Sequence, residues 1–171
     1  MQLRVDSIKD KYQLVQYHLG IDHFDYNIAI EWAIELMKEG KDSDNICMLA
    51  SFSKPTDSEE IKPYLSEVLT ELNLEEKTGS EAVIALISFY MNQILANNNI
   101  RGYLTELCGI IYEKDGLQND TYNLMNFYLL HHGWSQLEDI GVNHYFAGAS
   151  LNNIEEVVRD QAENWLSENL D

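Results

Sequence analysis

The sequence has few basic residues, and that scarcity excludes one broad class of partner. Only 11 of its 171 residues are Lys or Arg, against 29 Asp and Glu, so the formal net charge is −18. Nucleic-acid binding depends on cations that release counterions from phosphates. The cations here are scattered singly from Arg4 to Arg159 and form no patch. We therefore expect no direct binding to nucleic acid or to an anionic membrane.

Cysteine and long apolar runs are also scarce. Cys47 and Cys108 each lie in an apolar stretch, so we predict two free thiols with a structural role rather than a nucleophilic one. No run approaches the roughly 18 uncharged apolar residues of a membrane span. The first residues, MQLRVDSIKDKYQ, are not typical of a secretory signal. These absences predict a cytoplasmic protein.

Proline is restricted to Pro55 and Pro63, and strand-like alternation is nearly absent. Instead, apolar residues, which make up 45% of the chain, recur every three or four positions, as in amphipathic helices. A chain of this length usually forms one domain with a real core. We predict a single all-α domain over residues 1–171, with about seven to nine helices.

Two segments, 22–53 and 80–113, are predicted to form helical hairpins. In each, a long helix is followed by a short turn rich in Asp or Asn and then by a shorter apolar helix. Gly40 is expected to end the first long helix, since glycine takes the left-handed conformation without steric cost. Stacked hairpins, either HEAT-like or in an irregular orthogonal bundle, would bury the apolar faces.

Two places are harder to interpret. Asp57 is a candidate N-cap, but Pro63 means that the next helix either begins near Lys62 or has a kinked first turn. The stretch 119–150 is the least regular, and we predict a helix to about Leu130 that is broken at Gly133. A final amphipathic helix over about 152–170 follows.

One group of residues is a weak candidate for a metal-binding site. Imidazole and carboxylate groups suit zinc, and a loop could bring together His131 or His132, Asp139 and His144. Against this, His131 and His132 are adjacent, so they point in different directions on a helix. The stretch Asp22-His23-Phe24-Asp25 fits a helix N-terminus better than a metal site. No phosphate loop, nucleophile elbow or HExxH motif occurs, so no cofactor is predicted.

Aromatic residues are concentrated in the irregular stretch 119–150. Most of them would serve as core, but aromatic side chains on irregular backbone beside acidic residues are also typical of protein-binding sites. The candidates for contact with a partner are Tyr122, Tyr128, Trp134, Tyr145 and Phe146, and Phe127 belongs to the same concentration.

The stretch IEWAIELMKEGKDSDNICMLASFSKPTDSEEIKPYLSEVLTELNL resembles a pattern of small uncharacterised bacterial proteins. Its marks here are Trp32-Ala33, Gly40, Asp42-Ser43 and Leu49-Ala50. The resemblance implies an acidic all-helical fold and carries no activity or catalytic residue. In class and charge, though not in any motif, some acidic helical proteins of this size are also similar to immunity proteins of bacterial polymorphic toxin systems, which bind and block a toxin domain.

The leading hypothesis is a non-enzymatic module that binds a basic protein, in its most concrete form an immunity-type inhibitor of a basic toxin or nuclease. One rival is a metal-dependent enzyme that uses the His and Asp residues of 131–144. Another is a structural module that forms a homodimer.

Overall fold

The structure is a computed structural model that describes residues 8–21, 24–54, 57–115 and 119–169. Within these ranges it contains eight α-helices and no strand, which confirms the all-α prediction and the predicted number of helices. The helices are α1 (Ile8–Leu14), α2 (Asn27–Lys38), α3 (Asp44–Ser51), α4 (Ser58–Glu71), α5 (Gly79–Leu95), α6 (Ile100–Ile110), α7 (Met125–Ile140) and α8 (Ile154–Asn169). A 3₁₀ helix spans Val15–Gly20 and a π-helical turn spans Ile111–Asp115.

The described residues group into two compact units, with the division between Leu86 and Ile87 inside α5. The N-terminal unit comprises residues 8–86 and the C-terminal unit comprises residues 87–169 in their described parts. The organisation of residues 1–171 as a single domain stays a prediction.

The N-terminal unit is built around the predicted first hairpin, α2 and α3. Trp32 of α2 is fully buried, and its ring meets that of Tyr12 edge to face at 6.0 Å between centroids. The other buried apolar side chains of this core come from α2, α3, α4 and the 3₁₀ helix. Helix α2 begins at Asn27, where Asp25 accepts a hydrogen bond from the Asn27 N–H at 3.0 Å. Asp22 and His23 lie outside the described residues.

The turn between α2 and α3 follows its predicted chemistry. Gly40 has φ +83°, and the N–H of Lys41 reaches back to the Leu36 carbonyl at 3.0 Å, as in a Schellman motif. The Ser43 hydroxyl accepts from the Ile46 N–H at 3.2 Å and caps α3. Of the two free thiols, Cys108 is buried, whereas Cys47 is only half-buried and donates to the Asp42 carbonyl.

Helix α4 settles the question raised by Pro63. The helix begins at Ser58, with Asp57 accepting from the Glu59 N–H at 2.9 Å, so a start near Lys62 is wrong. Pro63 therefore lies inside the helix. Proline lacks the N–H that would bond to the carbonyl four residues earlier, and that carbonyl belongs to Glu59 in the first turn.

His18 forms a polar network inside the N-terminal unit. The residue is 2% exposed; its Nε2 lies 2.6 Å from Glu76 Oε1 and its Nδ1 lies 3.1 Å from the Tyr26 hydroxyl. In the neutral ring, Nε2–H donates to Glu76 and Nδ1 accepts from Tyr26. Burial lowers the pKa of His18, and this effect outweighs the opposing attraction of the Glu76 carboxylate. The Ser66 hydroxyl also donates to Glu76, at 2.7 Å.

The C-terminal unit contains the second half of α5 together with α6, α7 and α8. Tyr90 of α5 and Tyr103 of α6 are in ring contact at 5.5 Å, consistent with the predicted second hairpin. Asn99 caps α6 by accepting from the Gly102 N–H at 3.2 Å. The apolar face predicted for α6 is buried at Leu104, Leu107, Cys108 and Ile111.

Helix α7 corrects the prediction of a break at Gly133. The helix continues from Met125 to Ile140, and Gly133 is buried within it. A Cβ at Gly133 would come within 2.7 Å of Asn143 Oδ1, so the glycine allows the chain that follows α7 to pack closely against the helix. Residues 137–140 form the last turn of α7, which ends at Gly141 with φ +72°.

Helix α8 matches its prediction. Its buried residues, Ile154, Val158, Ala162 and Trp165, follow the predicted stripe. The Trp165 indole N–H donates to the Tyr122 carbonyl at 2.7 Å, which fixes the helix against the chain that leads into α7. None of the helices in the described part of the chain is long and apolar enough to span a membrane.

Candidate partner-binding surface

A π-helical turn at the end of α6 brings a tyrosine to the surface. Tyr112 follows the buried Cys108 by four residues, so regular α-helical spacing would place it on the same buried face. Tyr112 instead lies in a π-helical turn, which takes one more residue than an α-helical turn, and it is 55% exposed. Periodicity alone could not have identified it.

Helix α7 supplies the next two members of the same surface. Tyr128 and His132 are four residues apart, on one face of the helix. Their rings are in contact at 4.4 Å between centroids, and the Tyr128 ring meets that of Tyr112 at 5.9 Å. The Tyr112 hydroxyl lies 3.3 Å from His132 Nε2. Both α7 side chains are half-buried, so part of each ring faces solvent.

The fourth member is Tyr145, which lies in the thirteen-residue connection between α7 and α8. Asn143 orders this connection: its Oδ1 accepts from the N–H groups of Tyr145 and Phe146 at 2.9 and 3.0 Å, and its Nδ2 donates to the Phe146 carbonyl at 2.8 Å. Gln136 of α7 accepts from the His144 N–H at 2.9 Å. Tyr145 is 45% exposed, and its ring lies 5.7 Å from that of His132.

Tyr112, Tyr128, His132 and Tyr145 therefore form a continuous series of ring contacts, which we call the aromatic cluster. Its members come from three separate parts of the C-terminal unit. Hydrogen bonding with Tyr128 raises the pKa of the Tyr112 hydroxyl to about 12. The cluster combines exposed aromatic area with polar tips, as protein interfaces commonly do.

The other aromatic candidates lie outside this cluster. Trp134 is buried at 8% exposure beneath Arg101, whose guanidinium lies 5.1 Å from the ring centroid and also binds Glu138. Little of this indole is left for a partner, so it serves mainly as core. Tyr122 and Phe146 are half-buried, and neither joins the ring contacts of the aromatic cluster. Phe127 is fully buried.

The metal candidates do not converge. His131 and His132 are in contact at 5.2 Å between ring centroids, but within the described residues no three His, Cys, Asp or Glu side chains are placed to hold a metal ion. Asp139 and His144 are both exposed. Burial, assisted by His132 and Arg101, lowers the pKa of His131.

The electrostatic surroundings of the C-terminal unit are strongly acidic. Residues 87–171 carry 12 acidic and three basic side chains. On α8 the acidic residues are exposed, and none of them forms an ion pair with another described residue; they are Glu155, Glu156, Asp160, Glu163 and Glu168. Such a surface attracts a cationic partner at low ionic strength.

Neither a protein-family model, a curated protein nor a solved structure matches the chain, so the residues of this surface have to support any proposal of function.

Proposed function

We propose that the protein is a non-enzymatic binding protein that holds a basic protein partner through the aromatic cluster. The observation that carries this proposal is the ordered exposure of Tyr145 and Tyr112, at 45% and 55%, within one series of ring contacts. Partly exposed aromatic side chains that are already held in place lose little entropy on binding. They are also the residue type that most often dominates interface energetics.

The surrounding charge supports the choice of a basic partner. The net charge of −18 steers cationic proteins to the surface and repels acidic ones. An inhibitor of the immunity type, which occupies a basic toxin or nuclease domain, is the most concrete form of this function. Such an inhibitor needs a tight complex and no catalytic group of its own.

The test compares retention of a partner by three immobilised proteins. The wild type, Tyr145→Ala and Met48→Ala are each exposed to lysate of the source cell at low salt, followed by a salt step and identification by mass. Met48 is a matched control because it is also 45% exposed but lies on α3 of the N-terminal unit. We expect a near-stoichiometric basic protein on the wild type and on Met48→Ala.

Tyr145→Ala should weaken this complex by about 2 kcal/mol or more, roughly 30-fold in Kd, as for a hot-spot aromatic residue. The proposal fails if the wild type retains no protein at low salt, or if Tyr145→Ala retains the partner as well as Met48→Ala does. Sedimentation of the wild type at several concentrations would show whether a second copy of the chain occupies the cluster instead.

A further inference from the structure

A second feature of the C-terminal unit is a cleft between the start of α7 and the end of α8. Its volume is about 340 Å³, near the lower limit of the roughly 300–1,000 Å³ found for small-molecule sites. It is therefore large enough for a single extended side chain. The residues that line it are Asp120, Asn123, Met125, Asn126, Phe127, Gln161, Asn164, Trp165 and Glu168.

Several polar groups of the cleft are already bonded to one another. Asp120 Oδ1 accepts from the first two backbone N–H groups at the start of α7, at 2.6 and 3.0 Å. The Asn126 amide N–H donates to Gln161 Oε1 at 2.8 Å, and the Asn123 amide N–H donates to Asn169 Oδ1 at 3.2 Å. Each of the last two bonds uses one of the two N–H groups of an asparagine amide and leaves the amide oxygen on the α7 side able to accept.

Carboxylates are the charged groups on the walls of the cleft: Glu168 and Asp120 line it, and no Lys, Arg or His is among its described lining residues. The carbonyl oxygens of Asn123 and Asn126 add acceptors beside the amides of Gln161 and Asn164. Glu168 also lies in the last turn of α8, where the helix dipole favours a positive charge. Asp120 neutralises the opposite dipole at the start of α7. A positively charged ligand with several donors suits these carboxylates best.

The geometry points to the side chain of an arginine from the protein partner as the occupant of this cleft, an inference that rests on the proposed function. A guanidinium presents five N–H donors in one plane, which matches several separated acceptors better than the point charge of lysine does. Arginine is also among the residues most enriched at interface hot spots.

The inference is tested by titrating the full chain with a five-residue peptide, blocked at both ends, that has one arginine flanked by alanines. The Trp165 indole N–H, which bonds to the Tyr122 carbonyl at the wall of the cleft, is the NMR reporter. Trp32 and Trp134 provide internal references in the same spectrum. We expect a saturable shift of the Trp165 signal alone, and no shift with the same peptide carrying neutral citrulline.

Two acidic residues of α8 provide a matched pair of variants. Glu168 lines the cleft and Glu163 does not, although both are exposed. We expect Glu168→Gln to weaken the arginine peptide about fivefold and Glu163→Gln to leave it unchanged. Equal weakening by the two variants would mean that only the general negative field acts, and it would overturn the inference.

Two further outcomes also count against the cleft. Guanidinium ion that binds as tightly as the peptide would assign the site to a small free cation instead of a partner's side chain. Peptide shifts confined to the residues around Tyr145, with Trp165 unmoved, would place arginine binding on the aromatic cluster. Because a defined peptide is used, either result rejects the cleft alone and leaves the proposed function to the capture experiment on Tyr145.

Discussion

The two units of the protein differ in where they place exposed apolar side chains and buried polar side chains. Among the residues that the structure describes, each unit exposes five large apolar side chains, but those of the N-terminal unit are spread over four separate elements. In the C-terminal unit, four of the five fall between Ile140 and Leu151. Polar groups show the opposite pattern, because the N-terminal unit buries His18 and Lys11 with acidic partners. The N-terminal unit therefore buries polar side chains with their partners, whereas the C-terminal unit exposes apolar side chains that lie close together in sequence.

Charge sharpens this contrast. Residues 1–86 carry 17 acidic and eight basic side chains and residues 87–171 carry 12 and three, so each half has a net charge of −9. The two units differ in how their acidic residues are paired with Lys or Arg. Lys11, Lys54, Lys62 and Lys77 all pair with glutamates of the N-terminal unit. In the C-terminal unit, the exposed acids of α8 have no such partners among the described residues. Equal net charge thus conceals unequal capacity to attract a cationic protein.

The largest expected effect comes from truncating the enclosed core. Trp32→Ala should lower the free energy of unfolding by about 3–5 kcal/mol, because the ring is fully buried and its removal leaves a cavity. Tyr145→Ala should change it by less than about 0.5 kcal/mol, as for an exposed side chain. Urea unfolding followed by circular dichroism measures both. Similar losses of unfolding free energy in the two variants would contradict the difference between the enclosed Trp32 and the exposed Tyr145.

The second prediction concerns pH and the buried histidine. Because the folded-state pKa of His18 lies below its ordinary value of 6.5, the folded protein resists protonation there more than the unfolded chain does. The stability that neutral His18 provides is therefore present above pH 6.5 and is lost as the pH falls from 6.5 through the folded-state pKa. We expect the wild type to lose stability relative to His18→Gln over this interval, in unfolding measurements at matched salt.

His131 also has a lowered pKa and would contribute in the same direction, so the comparison between wild type and variant isolates the contribution of His18. Parallel stability curves for the two proteins from above to below pH 6.5 would contradict the prediction. The overall titration of carboxylates is common to both proteins and cancels in the difference.

The last prediction compares the free energy of unfolding of two glycine variants, Gly133→Ala and Gly109→Ala. Gly109 of α6 has open space where the methyl group of an alanine would lie, so Gly109→Ala should stabilise the protein by about 0.5–1 kcal/mol through helix propensity. Gly133→Ala should lack this gain, because the new methyl group would displace Asn143. Amide exchange at Tyr145 and Phe146 should accelerate in Gly133→Ala and stay unchanged in Gly109→Ala. Equal stabilisation with unaltered exchange in both variants would be inconsistent with this role of Asn143.

Helical periodicity was sufficient to predict the fold class and several details of the helices. The end of α2 at Gly40 and the amphipathic pattern of α8 both depend on residues close together in sequence. Gly133 was misread because glycine commonly interrupts helices, and only the packing of Asn143, ten residues later, explains its presence. A local pattern does not contain that information.

The candidate surface was only partly predictable for the same reason. Tyr128 and Tyr145 were predicted from the concentration of aromatic residues, but their contacts through His132 depend on how the connection after α7 folds back. The cleft joins Asp120 to Glu168, which are 48 positions apart. In the N-terminal unit, His18 and Glu76 are 58 positions apart, and neither residue has a local pattern that indicates the other.

The π-helical turn at Ile111–Asp115 gives the surface a route for evolutionary variation. Such a turn is equivalent to an α-helix with one inserted residue. Deleting a residue there would rotate the following side chains by about 100° and replace Tyr112 with a neighbour, while the buried face of α6 before the turn stays in register. Related chains could therefore present a different side chain at this position through a single insertion or deletion in the turn, without rebuilding the core.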